Sequence, residues 1–175
     1  MGQHRGVSMS WEEYLAGDET LVEYYDDTGW TRRGWTVRHQ RVVQAIAGSL
    51  EDSVPARYFV AMQAGWRPGR LELCPDVLVA EQPAPDDYLR DAPNLVVEVV
   101  DGDRAAVEID KPRLYRAYEV PWLLVVDPTV DRGWLCLSAA APDGYCSILE
   151  SDLTTAVEIP LPWRPMMLDV SRYIT

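Results

Sequence analysis

The chain has 175 residues, the length of one domain, and its 47% hydrophobic and 25% charged content excludes disorder and fibrous repeats. Sixteen Lys and Arg stand against 28 Asp and Glu, a net charge of −12, which excludes a surface that coats nucleic acid by cation count alone. Fifteen of those 16 cations are arginine, and the exception is Lys111.

The longest apolar runs, at residues 95–100 and 122–126, fall far short of the ~20 residues of a membrane span. Residues 1–10 are polar and lack the apolar stretch of a signal peptide, so a cytoplasmic protein is expected. Cys74, Cys136 and Cys146 are odd in number and show no CxxC spacing, which points to incidental thiols and not to a disulfide frame or a zinc site.

A single domain over residues 1–175 is expected, with residues 1–9 flexible. Ser10-Trp11-Glu12-Glu13 has the form of a capping box, predicting a short helix over 11–16 that Gly17 ends. Strands are predicted over 21–25 and 31–37, joined by a turn at Asp26-Asp27-Thr28-Gly29. Val42, Val43, Ile46, Ala47 and Leu50 recur at helical spacing, which predicts an amphipathic helix over 38–50 with His39 in its first turn. Strand-like segments follow at 57–63 and at 71–80, the second with Pro75 in its interior.

Residues 81–93, rich in Pro and Asp, read as a surface connection. The segment 95–100 is apolar apart from Glu98, the pattern of a strand covered on both faces. Pro112 suits a first helical position, so a helix is predicted over 112–118 with Asp110 as its cap. Residues 122–126 form another buried strand. Strand, helix and strand make a right-handed crossover whose two strands run parallel. A hairpin over 134–149 follows, turning at Pro142-Asp143-Gly144, and a proline-rich tail over 159–174 is expected to lie across the domain edge. The fold class is α/β, a mixed sheet flanked by helices.

Three residues break these patterns. Glu98 shares a face with Val96 and Val100, and a buried lone carboxylate must be paired, protonated or bound to a cation. The plainer alternative is an exposed strand end or an arginine partner. Asp76 follows Pro75 and opens the run Val77-Leu78-Val79. Two carboxylates on neighbouring strands form the hard-oxygen pair that Mg²⁺ prefers. Lys111 lies 111 − 98 = 13 residues beyond Glu98. It is either a solvated surface lysine or a compact charge that arginine cannot replace in a tight site.

The order of motifs resembles the Uma-two family of putative restriction endonucleases, within the PD-(D/E)XK nuclease superfamily. The matching stretches are Val22-Glu23-Tyr24-Tyr25-Asp26, Arg38-His39-Gln40-Arg41-Val42, Pro75-Asp76-Val77-Leu78-Val79 and Pro93-Asn94-Leu95-Val96-Val97-Glu98-Val99-Val100. Lys111 with Leu114-Tyr115, Val120-Pro121 through Asp127-Pro128, and the closing Pro160-Leu161-Pro162-Trp163 and Leu168-Asp169-Val170 continue the likeness over nearly the whole chain.

The resemblance implies a restriction-endonuclease-like core in which Asp76 and Glu98 hold Mg²⁺ or Mn²⁺. Most of the superfamily carries a lysine two residues beyond the glutamate. Here that position is Val100, and the resemblance implies that Lys111 takes the role. Glu23 resembles an upstream acidic residue that joins the site as a further ligand or as a group supporting the metal shell. His39 matches a helix-start histidine, which serves as a satisfied polar partner or as a phosphate contact. The glycine common before Val-Pro is replaced by Glu119. Because Pro112 disfavours helical geometry just before it, Lys111 is expected on an extended connection.

Two readings of function follow. The first is a Mg²⁺-dependent endonuclease that hydrolyses DNA phosphodiester bonds, with Arg32, Arg33, Arg38 and Arg41 as a local cationic patch. The second is a catalytically inactive nuclease-fold protein serving as an interaction or regulatory module. Seven Trp and nine Tyr against one Phe supply aromatics of the interface type, and Trp30, Trp35 and Trp134 are candidates to line a homodimer surface. A homodimer is the expectation by analogy with related folds.

Overall fold

The computed structural model describes residues 5–17, 21–31, 35–82, 87–101 and 110–174. Its centre is a six-stranded sheet of β4 (Tyr58–Met62), β5 (Val77–Glu81), β6 (Leu95–Val99), β7 (Trp122–Asp127), β8 (Trp134–Ala141) and β9 (Gly144–Ser151), in that spatial order. Only β6 and β7 run parallel; the other neighbours are antiparallel. All five residues of β6 are buried, as its apolar run requires of a strand covered on both faces.

Alternation along β6 divides the core into two. Leu95, Val97 and Val99 face α2 (Val37–Ser53), whose Val42, Val43, Ile46, Ala47 and Leu50 form the buried stripe predicted from their spacing. Val96 and Val100 face α3 (Lys111–Ala117), where Leu114 and Tyr115 meet them. Glu98 lies on this second face by the two-residue period.

A smaller sheet has the order β1 (Arg5–Ser8), β3 (Thr28–Thr31), β2 (Leu21–Tyr25). Residues 5–8 fall within the stretch expected to be flexible, yet they pair with β3. The second hairpin strand begins at Thr28 and not at residue 31. Asp26 and Asp27 both take left-handed φ values, 50° and 53°, so the chain reverses in two residues and pairs Tyr25 with Thr28. Val37 then opens α2. The helix α1 (Trp11–Ala16) carries the capping box read from Ser10 and Glu13.

Three further boundaries differ from the sequence expectation. Pro75 precedes β5 and does not sit within it, as suits a residue with no ladder donor; Glu72 and Leu73 make only isolated bridges, to Tyr24 and Trp66. Lys111 is the first residue of α3 and does not lie on an extended connection. Pro112 occupies the first turn, where its missing N–H forfeits no helical bond. Asp110 makes no side-chain cap. The tail forms an antiparallel ribbon, β10 (Val157–Ile159) with β11 (Met166–Leu168), packed on α2. Its Val157, Ile159, Leu161, Met166, Leu168 and Val170 belong to the α2-side core and not to the domain edge.

Candidate active site

Asp76 stands at the entry to β5, beside the end of β6. Its Oδ2 accepts the backbone N–H of Val99 at 2.8 Å and lies 3.2 Å from Nε2 of His39. His39 is in the first turn of α2, an end fixed by Thr36, whose hydroxyl oxygen accepts the His39 N–H at 3.1 Å. Thr36 is itself tied to the chain beyond β6, since its N–H donates to Asp101 Oδ2 at 2.9 Å. Trp35 stacks on the imidazole at 5.8 Å and 21°. Nδ1 of His39 is buried with no hydrogen-bond partner among the described residues, so the bond to Asp76 uses a proton on Nε2. His39 is thus the buried polar partner of Asp76, the first of the two roles open to it.

Glu98 projects to the other face. Its Oε1 accepts from Lys111 Nζ at 2.9 Å and from the Tyr115 hydroxyl. The same Nζ lies 2.9 Å from Glu23 Oε1, which also accepts the Cys74 N–H at 3.1 Å. Lys111 is only 5% exposed, so it is not a solvated surface lysine; its ammonium bridges two buried carboxylates. Glu98 is 1% exposed, and its cation is lysine and not arginine. Two strands and a helix therefore meet here, Glu23 from β2, Glu98 from β6 and Lys111 from α3, while Asp76, before β5, is held by His39 of α2 and the Val99 N–H.

The sequence reading missed Tyr115 as a site residue. The signal was available, because Tyr115 lies four residues after Lys111 and so shares its helix face. It also missed Asp127 at the end of β7, fully buried, whose Oδ1 accepts from the Thr129 N–H at 2.8 Å and hydroxyl at 2.5 Å to fix the turn there. Of the arginine patch, Arg32 and Arg33 lie outside the described residues, while Arg38 and Arg41 are exposed on α2. The tryptophans that are candidates for a dimer surface are half-buried and also make contacts within the chain. Trp30 stacks on Tyr25 at 5.2 Å, Trp35 covers His39, and Trp134 packs on the α3-side core.

Among the described residues no group of three or more His, Cys, Asp or Glu is gathered to hold a metal. Mg²⁺ does not need one, since it is commonly bound by one or two carboxylates with water and substrate phosphate completing its shell. Asp76 precedes β5 and Glu98 is the fourth residue of the neighbouring β6, so the hard oxygens such an ion would use are carried by adjacent strands.

The sheet and its flanking helices define a nuclease-like α/β fold. It superposes on the crystal structure of a putative nuclease belonging to DUF820 from Anabaena variabilis ATCC 29413 with a TM-score of 0.70, 14% identity, and coverage of 88% of this chain and 89% of that one. Residues 11–151 match the Uma2 (Uma-two) family, described as putative restriction endonuclease, and the chain belongs to that family. No curated protein matches. No described helix is long and apolar enough to cross a membrane.

Proposed function

We propose that this protein is a divalent-metal-dependent endonuclease that hydrolyses DNA phosphodiester bonds. The observation that supports the reading best is the buried Lys111 ammonium, held 2.9 Å from both Glu23 and Glu98 in a member of a putative restriction endonuclease family. Asp76 and Glu98 would hold Mg²⁺ or Mn²⁺. When bound, such an ion stabilises charge on a phosphoryl group and lowers the pKa of water.

The chain's own residues supply the rest. His39 and the Val99 N–H fix the Asp76 carboxylate, while Lys111 and Tyr115 fix that of Glu98. Lys111 places a compact positive charge where the attacked phosphate develops negative charge, and its protons can orient the attacking water. Glu23 keeps the ammonium in position. Exposed Arg38 and Arg41 offer contacts to the DNA backbone on an otherwise acidic chain. The working form in this reading is a cytoplasmic homodimer, on the analogy of related folds.

Purified protein incubated with plasmid, with and without Mg²⁺ or Mn²⁺, tests the reading, alongside Asp76→Ala, Glu98→Ala and Lys111→Arg. Metal-dependent cutting by the wild type that all three variants lose supports it. Light scattering on the same preparation reads the oligomeric state. No cutting, together with no metal effect on the melting temperature, would refute the enzyme and leave the inactive interaction module.

A further inference from the structure

We propose that the open edge of β4 pairs with the same edge of a second copy of this chain, antiparallel and with the twofold axis at Ala61. β4 ends the six-stranded sheet, with β5 as its one neighbour there. Two bonds to the residues flanking β5 fix the direction of its backbone groups. The Gln63 N–H donates to the Asp76 carbonyl at 3.1 Å, and the Arg57 carbonyl accepts the Gln82 N–H at 2.7 Å. By the two-residue period Phe59 and Ala61 also turn their groups to β5, so Tyr58, Val60 and Met62 turn theirs outward. The Tyr58 groups are taken, its N–H by the Pro55 carbonyl at 2.9 Å and its carbonyl by Gln82 Nε2 at 3.3 Å. Those of Val60 and Met62 have no partner among the described residues.

These open groups select both the occupant and its register. With Ala61 of one chain facing Ala61 of the other, Val60 faces Met62 on either side of the axis. Each such pair exchanges two N–H···O bonds, which uses every open group of both strands. An axis at Val60 would instead call on the Tyr58 groups already taken and leave those of Met62 open. An axis at Met62 would set Val60 against Ala64, beyond the left-handed Gln63, whose φ is 53°. The position on the axis is a non-hydrogen-bonded pair, where side chains come closest, and alanine is small enough to meet itself there. Met62, 50% exposed, comes to lie beside Val60 of the copy, which packs on the α2-side core.

The charges admit such a partner. The chain carries −12, yet residues 58–66 hold no charge, so the paired strands oppose no carboxylate of their own. The nearest charge along the strand is Arg57, and the antiparallel register sends it toward the Gln63 end of the acidic copy. The other end of the sheet is blunted: β9 carries the exposed Glu150 and a register shift that leaves Ile148 without an opposite residue. β4 has no charge, proline or bulge. A twofold axis normal to the sheet keeps α2 of both copies on one face. The two Asp76 carboxylates then stand ~20 Å apart, three strand spacings across and four residues along. Their use on the two strands of one duplex rests on the cleavage proposed above; the pairing itself does not. Four backbone bonds make a small contact, so the dimer is of the transient kind and depends on concentration.

Sedimentation equilibrium of the full chain tests the pairing. The mass should rise with concentration from 19.8 kDa toward twice that value. Val60→Pro removes an N–H that points outward, so it costs no bond to β5, and an edge strand tolerates it. Dimer affinity should fall about tenfold or more in that variant. A second arm reads the register in a Cys146→Ser background, because that native thiol is exposed. Ala61→Cys should form an intermolecular disulfide on mild oxidation, seen on a non-reducing gel, since the Cα atoms of a non-hydrogen-bonded pair lie ~4.5 Å apart. Met62→Cys should not, since its Cα atoms would be ~8 Å apart, beyond disulfide reach. Metal and DNA enter none of these readouts, so their outcome is separate from that of the cleavage assay. A mass of one chain at every concentration, unchanged affinity in Val60→Pro, or a disulfide through Met62→Cys in place of Ala61→Cys overturns the proposal.

Discussion

Lys111 Nζ and Glu98 Oε1 stand 2.9 Å apart in the interior, joining the first residue of α3 to the fourth residue of β6. A buried ion pair of this kind is poor evidence of stabilisation, since apolar residues of similar volume often do as well. Its removal from one side is another matter. Lys111→Ala leaves Glu23 and Glu98 buried without their shared cation and is expected to cost about 3–5 kcal/mol, read as a lower urea midpoint. Lys111→Arg keeps the charge but puts a planar fork where a point charge fits. We expect it to fold and to lose on the order of 10²-fold or more in cleavage rate. Full activity in Lys111→Arg would refute the role given to the lysine.

The contact of His39 with Asp76 gives a second expectation. His39→Ala removes the Nε2 donor and frees the carboxylate to rotate, so Mn²⁺ affinity measured by calorimetry should fall about 10–100-fold, the usual effect of losing a group that orients a ligand. His39→Gln, which can return an N–H to that position, should lose less.

Glu119 takes a left-handed φ of 64° at an exposed site just past Tyr118, the residue that caps the end of α3. A side chain costs about 1 kcal/mol in that conformation, and glycine does not meet the cost. Glu119→Gly should therefore raise the melting temperature by about 2–4 °C for a domain of this size, measured by calorimetry.

Tyr145 sets an alkaline limit. Its hydroxyl donates to the Val120 carbonyl at 2.7 Å, and burial pushes its pKa above the ordinary phenol value, outweighing the lowering effect of nearby Arg116. The folded state thus favours the neutral phenol. Its contribution is complete below about pH 10, the unfolded value, and is lost as pH rises from there through the higher folded value. Unfolding midpoints should fall above pH 10, and Tyr145→Phe should flatten that decline.

What was legible in the sequence follows from how locally each signal is written. The capping box at Ser10 and Glu13 and the stripe from Val42 to Leu50 needed only short-range spacing, and both are present as read. The parallel pairing of β6 with β7 followed from chain connectivity alone. Asp76, Glu98 and Lys111 stood out because each broke a local pattern. The partners that hold them did not, because Tyr115 looks like core and the Val99 N–H carries no side-chain signal. The tail misled because Pro160, Pro162 and Pro165 break up any period, and no local rule shows that the residues between them are buried.

That tail lies wholly beyond the family match at residues 11–151, yet Ile159, Leu161, Met166, Leu168 and Val170 share one core with Val42 and Val97. Among the described residues, only Tyr173 and Ile174 join that core from further along the chain than Val170. On the growing chain the α2 face of the sheet therefore stays open until the tail emerges, and α2, with His39 at its start, gains its last support only then. Asp76 takes one hold from that helix and the other from the Val99 N–H, so the carboxylate is made early while one of its two supports waits for the tail.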